Sequence, residues 1–564
     1  MSSPAQPTLH GTEFWLFRLF PLRAVLPSAL LATIAGLVAA AFDAPLYAVV
    51  LSGAPILALG LTRVRGANLM VSAGKAATFG WRRIRNGATP TTHESFNAVV
   101  PDSDGDVYGM RWDGQCVLTM LRINPGPAAP VRVSPTGTHS DRPLPLADIA
   151  SCLTQFDVAL SAIDVVSTGY RTVGESPAAT LYHRLLGQLP ATAQRTVWLV
   201  LRLDPLANAE AISNRGGGEI GTVRTAVIAT RRVANRLAAQ GTRVFPVPSE
   251  HFDLAVAQLT GGSPLDELTE RWSTAEHGSR KLTSYEIEAT ALDSATFAKV
   301  FLPPSRSTTL TVRLRPAETQ GGKQGEVALS ALVRYDTASA IAAPPLPGLR
   351  RLAGSQHRAL LSTLPIAGPA PAPGANVAYG PVASLAGIML PTGGCGQLIG
   401  ADDQGRGVAV PLAGPGVRRV EIIGTLQLAQ KLILRAVASG LRIVVQTHRT
   451  EAWSGLTAAV DSAHLLSLHN PRYDLQRSSS VRSGNVIVYD GVEPPYSVPA
   501  ATLIHLRDVG STPQLRDPDV TVIQSPNAPN SIAVTTATST VVLRVVSTPD
   551  EHRYLAPETV SRAV

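Results

Sequence analysis

Between Ala24 and Thr62 the only charged residue is Asp43, and this constrains the chain more than any other feature. Two apolar segments flank it, Ala24–Phe42 with 19 residues and Ala44–Leu61 with 18. At about 1.5 Å per helical residue each reaches roughly 27–29 Å, near the thickness of bilayer hydrocarbon. Asp43-Ala44-Pro45 reads as the turn between them. A carboxylate at the bilayer centre costs several kcal/mol, so Asp43 belongs at the far interface. Basic residues crowd both ends: Arg18 and Arg23 before, then Arg63, Arg65, Lys75, Arg82, Arg83 and Arg85 after. Residues 1–90 hold eight basic and two acidic side chains, so +6 of the net +8 lies there. Positive flanks stay on the cytoplasmic side. The expectation is a transmembrane hairpin in the cell inner (plasma) membrane, multi-pass, with both termini cytoplasmic.

Small residues are dense in the hairpin, among them Ala32, Gly36, Gly53 and Gly60. Small faces let helices approach closely where lipid offers no hydrophobic drive. A tight hairpin is the plain reading. The sharper one is docking to another membrane subunit, with Gly36 and Gly53 as the points of close approach. A cleaved signal peptide is the competing account, with Ala39-Ala40-Ala41 as its cleavage site. A second apolar segment follows at once, which a secreted chain would not need.

The basic excess is not a nucleic-acid signal, because residues 91–564 carry only +2. No stripe there interleaves basic and aromatic residues. Anionic lipid headgroups suffice as partners for Arg82, Arg83 and Arg85, with Trp81 as an interfacial anchor. Three isolated cysteines, Cys116, Cys152 and Cys395, fit a reducing compartment and leave no zinc ribbon.

The fold class expected is α/β: the hairpin, then two mixed α/β cytoplasmic domains. The divisions are a cytoplasmic N-terminus (1–23), the hairpin (24–62), a basic juxtamembrane segment (63–90), a first α/β domain (91–365), a Pro-rich linker (366–380) and a second α/β domain (381–564). A shorter break at Pro344-Pro345-Leu346-Pro347 is the alternative boundary. Within the first domain, Val107–Trp112 and Gln115–Ile123 read as a hairpin around Asp113-Gly114. Pro145–Leu160, Pro177–Leu189 and Gly221–Ala239 read as helices, Val197–Leu203, Thr308–Arg315 and Glu326–Tyr335 as strands.

The best chemical lead lies in the second domain. Val420-Glu421-Ile422-Ile423-Gly424 reads as a strand running into a helix, the place a P-loop would occupy. The motif requires Gly-Lys-[ST] four residues later. Here Ala429-Gln430-Lys431 stands instead, and a neutral amide supplies no charge for phosphates. Val486–Asp490 passes for the metal-side strand, but Gly491 replaces the usual catalytic Glu. A nucleotide-hydrolase-like topology without the chemistry, degenerate and P-loop-like, is favoured over an unrelated α/β domain. Gly216-Gly217-Gly218-Glu219-Ile220-Gly221 fits GxGxxG, but no acidic residue occurs from Ile220 through Ser249 to hold a ribose. Asp102-Ser103-Asp104-Gly105-Asp106 misplaces the calcium-loop glycine. His464 and His469 lack the HExxH carboxylate. No catalytic residue, metal ligand or cofactor is expected.

Several short runs, taken in order, resemble the EccE family, a membrane component of type VII (ESX) secretion systems. They are the hairpin, Phe79-Gly80-Trp81-Arg82-Arg83, Tyr108-Gly109-Met110-Arg111-Trp112-Asp113-Gly114, Trp198-Leu199-Val200-Leu201-Arg202 and Arg215-Gly216-Gly217-Gly218. Leu332-Val333-Arg334-Tyr335 and Gly354-Ser355-Gln356 add to it. The resemblance covers roughly residues 15–365. It implies a non-catalytic structural subunit stabilising a secretion complex in the inner membrane. Its implied partners are EccB-, EccC- and EccD-like subunits and a mycosin protease, with EccC as the ATPase. The alternative is a membrane-anchored envelope enzyme such as a glycosyltransferase, for which Asp102 and Asp104 are the only metal-binding pair in view.

Overall fold

In the computed structural model the chain is described over residues 9–11, 22–64, 67–84, 93–99, 107–135, 137–139, 143–173, 176–187, 189–317, 325–366, 376–414, 416–470, 486–495 and 501–555. The apolar start forms helices Leu22–Ala41 and Leu46–Leu61, packed against each other. Asp43 turns the chain between them at φ 53°. Ser28 is buried in the seam, where a β-carbon on Gly60 would collide with its hydroxyl.

The expected membrane spans need correction here. Among the described residues no helix is long and apolar enough to cross a membrane. Pro45 delays the second helix, which keeps 16 residues. That is about 24 Å, against about 30 Å of hydrocarbon. Pro27 and Ser28 interrupt the apolar run of the first.

Beyond the hairpin the protein is mixed α/β, built on two large sheets. The first runs, edge to edge, through Thr269–Glu270, Ala275–His277, Arg280–Ile287, Glu326–Thr337, Ser307–Pro316, Ala162–Tyr170, Gln194–Leu203, Val117–Ile123, Val107–Trp112 and Ser95–Val99. Neighbours along this path are antiparallel. Side chains alternate across it as the strand period requires. Val197, Leu199 and Leu201 pack under helix Gly218–Ala239, with Ala226, Val233 and Leu237. Trp198 and Val200 face the other way, against Phe252 and Leu259 of helix Glu250–Thr260 and Leu360 of helix Gln356–Ser362.

The second sheet opens with six parallel strands: Leu466–His469, Ile443–Thr447, Val486–Asp490, Thr502–Arg507, Arg419–Ile423 and Val520–Ser525. Antiparallel strands Ala528–Thr536, Thr540–Val545, Gln397–Ala401 and Gly407–Val410 follow. Helices Leu426–Ala438 and Ser454–Val460 bury Leu428, Leu432 and Leu456 against it.

The two sheets exchange strands. Val131–Ser134, from the first half of the chain, pairs with Gly407–Val410 at the edge of the second sheet. Pro143–Pro145 pairs with Met389–Pro391. Ala378–Pro381 in turn pairs with Glu326–Leu329 of the first sheet. His10–Gly11, ahead of the hairpin, adds to Ala378–Tyr379.

One expected helix is not there. Of 145–160 only Leu146–Ala150 is helical, and Thr154–Gln155 pairs with Val158–Ala159 as a small hairpin. The Gln155 amide donates to Cys152 O, and Asn208 clamps Ala159 through both its N–H and its carbonyl. Ile149, Leu153 and Leu160 keep a helical spacing, but irregular backbone delivers them to the core.

Candidate functional site

The strand Arg419–Ile423 ends at Gly424 and feeds helix Leu426–Ala438, at the carboxyl ends of parallel strands. Open α/β sheets bind ligands at that edge, and a helix N-terminus offers free N–H groups to an anion. Here several donors at the turn have partners within the chain. Gly424 N–H donates to Arg507 O at 2.9 Å and Thr425 N–H to the Gln524 amide oxygen at 2.7 Å. Leu428 N–H donates to the Thr425 hydroxyl at 3.3 Å, an ordinary side-chain cap. A β-carbon on Gly424 would stand 2.9 Å from the Gln524 amide oxygen, so glycine here serves the packing of the turn.

The expected replacements point elsewhere. Gln430 is buried and donates to Ala452 O at 2.6 Å. Lys431 is buried too, on the body of the helix. Asp490, at the end of Val486–Asp490, receives the Thr447 hydroxyl at 2.8 Å, the Trp453 indole N–H at 2.9 Å and the Arg449 guanidinium through Nε at 2.9 Å. Burial would push its pKa up. Arg449, Trp453 and Thr447 outweigh burial and hold it below the usual carboxylate range. The cavity between Gly424, Thr425, Arg449, Arg507 and Asp508 holds about 10 Å³, the space of one water. Among the described residues no group of three or more His, Cys, Asp or Glu can hold a metal.

The expected result for nucleotide is direct. The full-length chain should show no saturable ATP binding at millimolar concentration by equilibrium dialysis. Tight binding that Lys431→Ala abolishes would show the turn to be open.

The other motifs are structural. Gly217 caps helix Gly218–Ala239 at φ 64°, and a β-carbon on Gly221 would meet Ile212 O at 2.4 Å. Arg111 reaches Pro365 O and Asp253, and Arg334 reaches Thr363 and Leu259 O. Arg202 bridges Asp113 at 2.7 Å and Asp164 at 3.1 Å, while Arg313 grips Asp164 through two nitrogens. Gln356 is fully buried and bonds both backbone groups of Ser284. Gly354 lies against the Trp272 ring, which also meets Phe79 in a T-shaped contact at 5.6 Å. Trp272 was not singled out from sequence, because a lone tryptophan in a loop carries no periodic signal.

The candidate docking glycines lie inside the hairpin seam. A β-carbon on Gly36 would touch Val49 at 3.4 Å, and one on Gly53 would press on Ala32 O at 2.9 Å. Asp102 and Asp104 lie outside the described residues. His464 precedes strand Leu466–His469, and His469 ends it. The three cysteines are free and buried.

The described residues form two interlocked sheets with arginines committed to their cores. A family model described as "Putative type VII ESX secretion system translocon, EccE" matches residues 191–287. The ESX-5 secretion system protein EccE5 of Mycobacterium marinum is 28% identical over 46% of this chain and 65% of its own length. The ESX-1 protein EccE1 of Mycobacterium tuberculosis is 28% identical over 43% of this chain and 53% of its own. The ESX-2 protein EccE2 of the same species is 25% identical over 61% of each. The matches thus span between about half and two thirds of these curated relatives. Over the matched regions the chain is similar to EccE components of ESX secretion systems.

Proposed function

We propose that the chain is a non-catalytic structural subunit of a type VII (ESX) protein secretion complex, which it stabilises in the inner membrane. What supports this reading is the Gly424 turn, where Gln524 and Thr425 accept the Thr425 and Leu428 N–H groups, in a protein whose relatives are named as secretion-system components. A subunit that does not turn over nucleotide needs an ATPase beside it, and an EccC-like partner supplies one. EccB- and EccD-like subunits and a mycosin protease complete the set.

The hairpin is the anchor in this reading, entered from and returned to the cytoplasmic side. What supports it is the concentration of exposed apolar side chains there, with Phe42 83% and Leu46 81% exposed beside Leu26, Leu30, Leu37 and Leu51. Water does not tolerate an apolar patch of that extent on a lone protein. Lipid does, and a short helix is accommodated by local bilayer thinning or by neighbouring helices. Gly36 and Gly53 contribute to docking indirectly, by holding the two helices close enough to present one surface.

The test is co-purification from detergent-solubilised membranes of a bacterium with a type VII system. The full chain should bring down the other membrane subunits. Removal of residues 22–62 should leave a folded protein that no longer does so. Sugar-nucleotide turnover by the purified full chain would favour the envelope-enzyme reading instead.

A further inference from the structure

The segment after the hairpin is a helix, Leu69–Ile84, joined to it by a tight reversal. Arg63–Val64 pairs with Ala67–Asn68, and Leu69 N–H donates to Thr62 O at 3.0 Å. The helix contacts both hairpin helices. Its sequence is two-sided at the helical period: Leu69, Met70, Ala73, Ala77, Trp81 and Ile84 fall within one third of the circumference. Ser72, Lys75 and Phe79 fall on the opposite side. Phe79 is the residue that touches Trp272 of the first sheet. The contact with the cytoplasmic unit therefore uses the more polar side and turns the apolar stripe outward. Leu69, Ala73 and Ala77 are exposed, and Trp81 is 63% exposed.

We infer that this helix lies in the plane of an anionic bilayer surface, its apolar stripe sunk among the headgroups. The inference rests on the hairpin being seated in the membrane. Two observations choose lipid as the occupant. The helix that carries the stripe follows the apolar hairpin directly in sequence and contacts both of its helices, so whatever covers one lies beside the other. The charge is also one-signed: Arg63, Arg65, Lys75, Arg82, Arg83 and Arg85 are present, and no carboxylate occurs between Asp43 and Glu94. An amphipathic helix rich in Lys and Arg, with Trp on its apolar side, binds interfaces by apolar burial plus attraction to anionic lipid. The second side of the helix then carries orientation to the cytoplasmic unit. Phe79 edges onto Trp272, Trp272 rests on Gly354 at φ 69°, and Gly354 N–H donates to Trp272 O at 2.7 Å.

The native cysteines are buried, so single exposed cysteines in the full-length chain can carry an environment-sensitive nitrobenzoxadiazole dye. The positions are Ala77→Cys on the stripe, Lys75→Cys on the opposite side and Leu37→Cys in the hairpin. Each protein is reconstituted into phosphatidylcholine vesicles with or without phosphatidylglycerol, carrying a lipid nitroxide near the headgroup. The dye at Ala77 should shift to the blue and lose about half its emission to the nitroxide, more strongly with phosphatidylglycerol. The dye at Lys75 should stay in a watery environment. Leu37 shielded with Ala77 wet would overturn the interfacial helix and leave the hairpin reading standing. Leu37 and Ala77 both wet would overturn both. Ala77 blue-shifted but unquenched would mean that protein, not lipid, covers the stripe. Equal quenching without phosphatidylglycerol would remove the anionic requirement.

Discussion

Arg435→Met should lower the stability of the second sheet by about 3–5 kcal/mol, read as a large fall in the thermal midpoint of the full chain. Arg435 and Glu551 are 0% and 1% exposed and meet at 3.0 Å. Arg435 also donates to Leu398 O and Val546 O, so one guanidinium joins helix Leu426–Ala438, the interior strand Gln397–Ala401 and the segment 546–551. Glu551 sits in the capping box of the short helix Pro549–His552. Removing the cation leaves a carboxylate in an apolar interior with no compensating charge. Arg435→Met combined with Glu551→Leu should recover much of the loss, because replacing both members of a buried pair by apolar residues is often near neutral. A double variant as unstable as the single one would show that the carbonyl contacts, rather than the ion pair, hold this corner.

Asp164→Asn should cost at least about 3 kcal/mol in the first sheet, and the wild type should be acid-labile at the same place. Asp164 is buried in the central strand, with Arg313 and Arg202 on its two oxygens. Burial pushes its pKa up, but the two arginines win and bring it to about 2. A depressed carboxylate stabilises the fold fully above its unfolded pKa of about 3.9 and loses that contribution as pH falls toward 2. The loss amounts to about 2 kcal/mol. Stability measured between pH 5 and pH 2 should therefore fall more steeply in the wild type than in Asp164→Asn. Parallel curves would place the acid-sensitive group elsewhere.

Much of this architecture could be read locally. The charge-free run gave both hairpin helices, and alternation gave Val107–Trp112, Val197–Leu203 and Glu326–Tyr335. Most of helix Gly218–Ala239 is legible, over Gly221–Ala239, from its apolar period. What could not be read was non-local. Asp164 meets arginines 38 and 149 positions away. Gln524, which closes the Gly424 turn, lies 99 residues beyond it. The turn was legible as strand, glycine and helix, but its filling was not. The docking glycines were legible as small residues, yet small residues serve an internal seam as readily as an external one. The helix Leu69–Ile84 hid behind its charges, since alanines make up much of its apolar side.

The exchanged strands have a consequence during synthesis. Val131–Ser134 emerges from the ribosome about 270 residues before Gly407–Val410, its partner. At 5–20 residues per second that is a wait of roughly 15–50 s with one edge of backbone unpaired. His10–Gly11 waits longer for Ala378–Tyr379. Neither half of the chain can finish folding before the other is made. A nascent chain of this design therefore needs shelter on the ribosome or at the membrane surface until its last third appears. A ribosome stalled near residue 365 should hold an aggregation-prone chain rather than a completed domain.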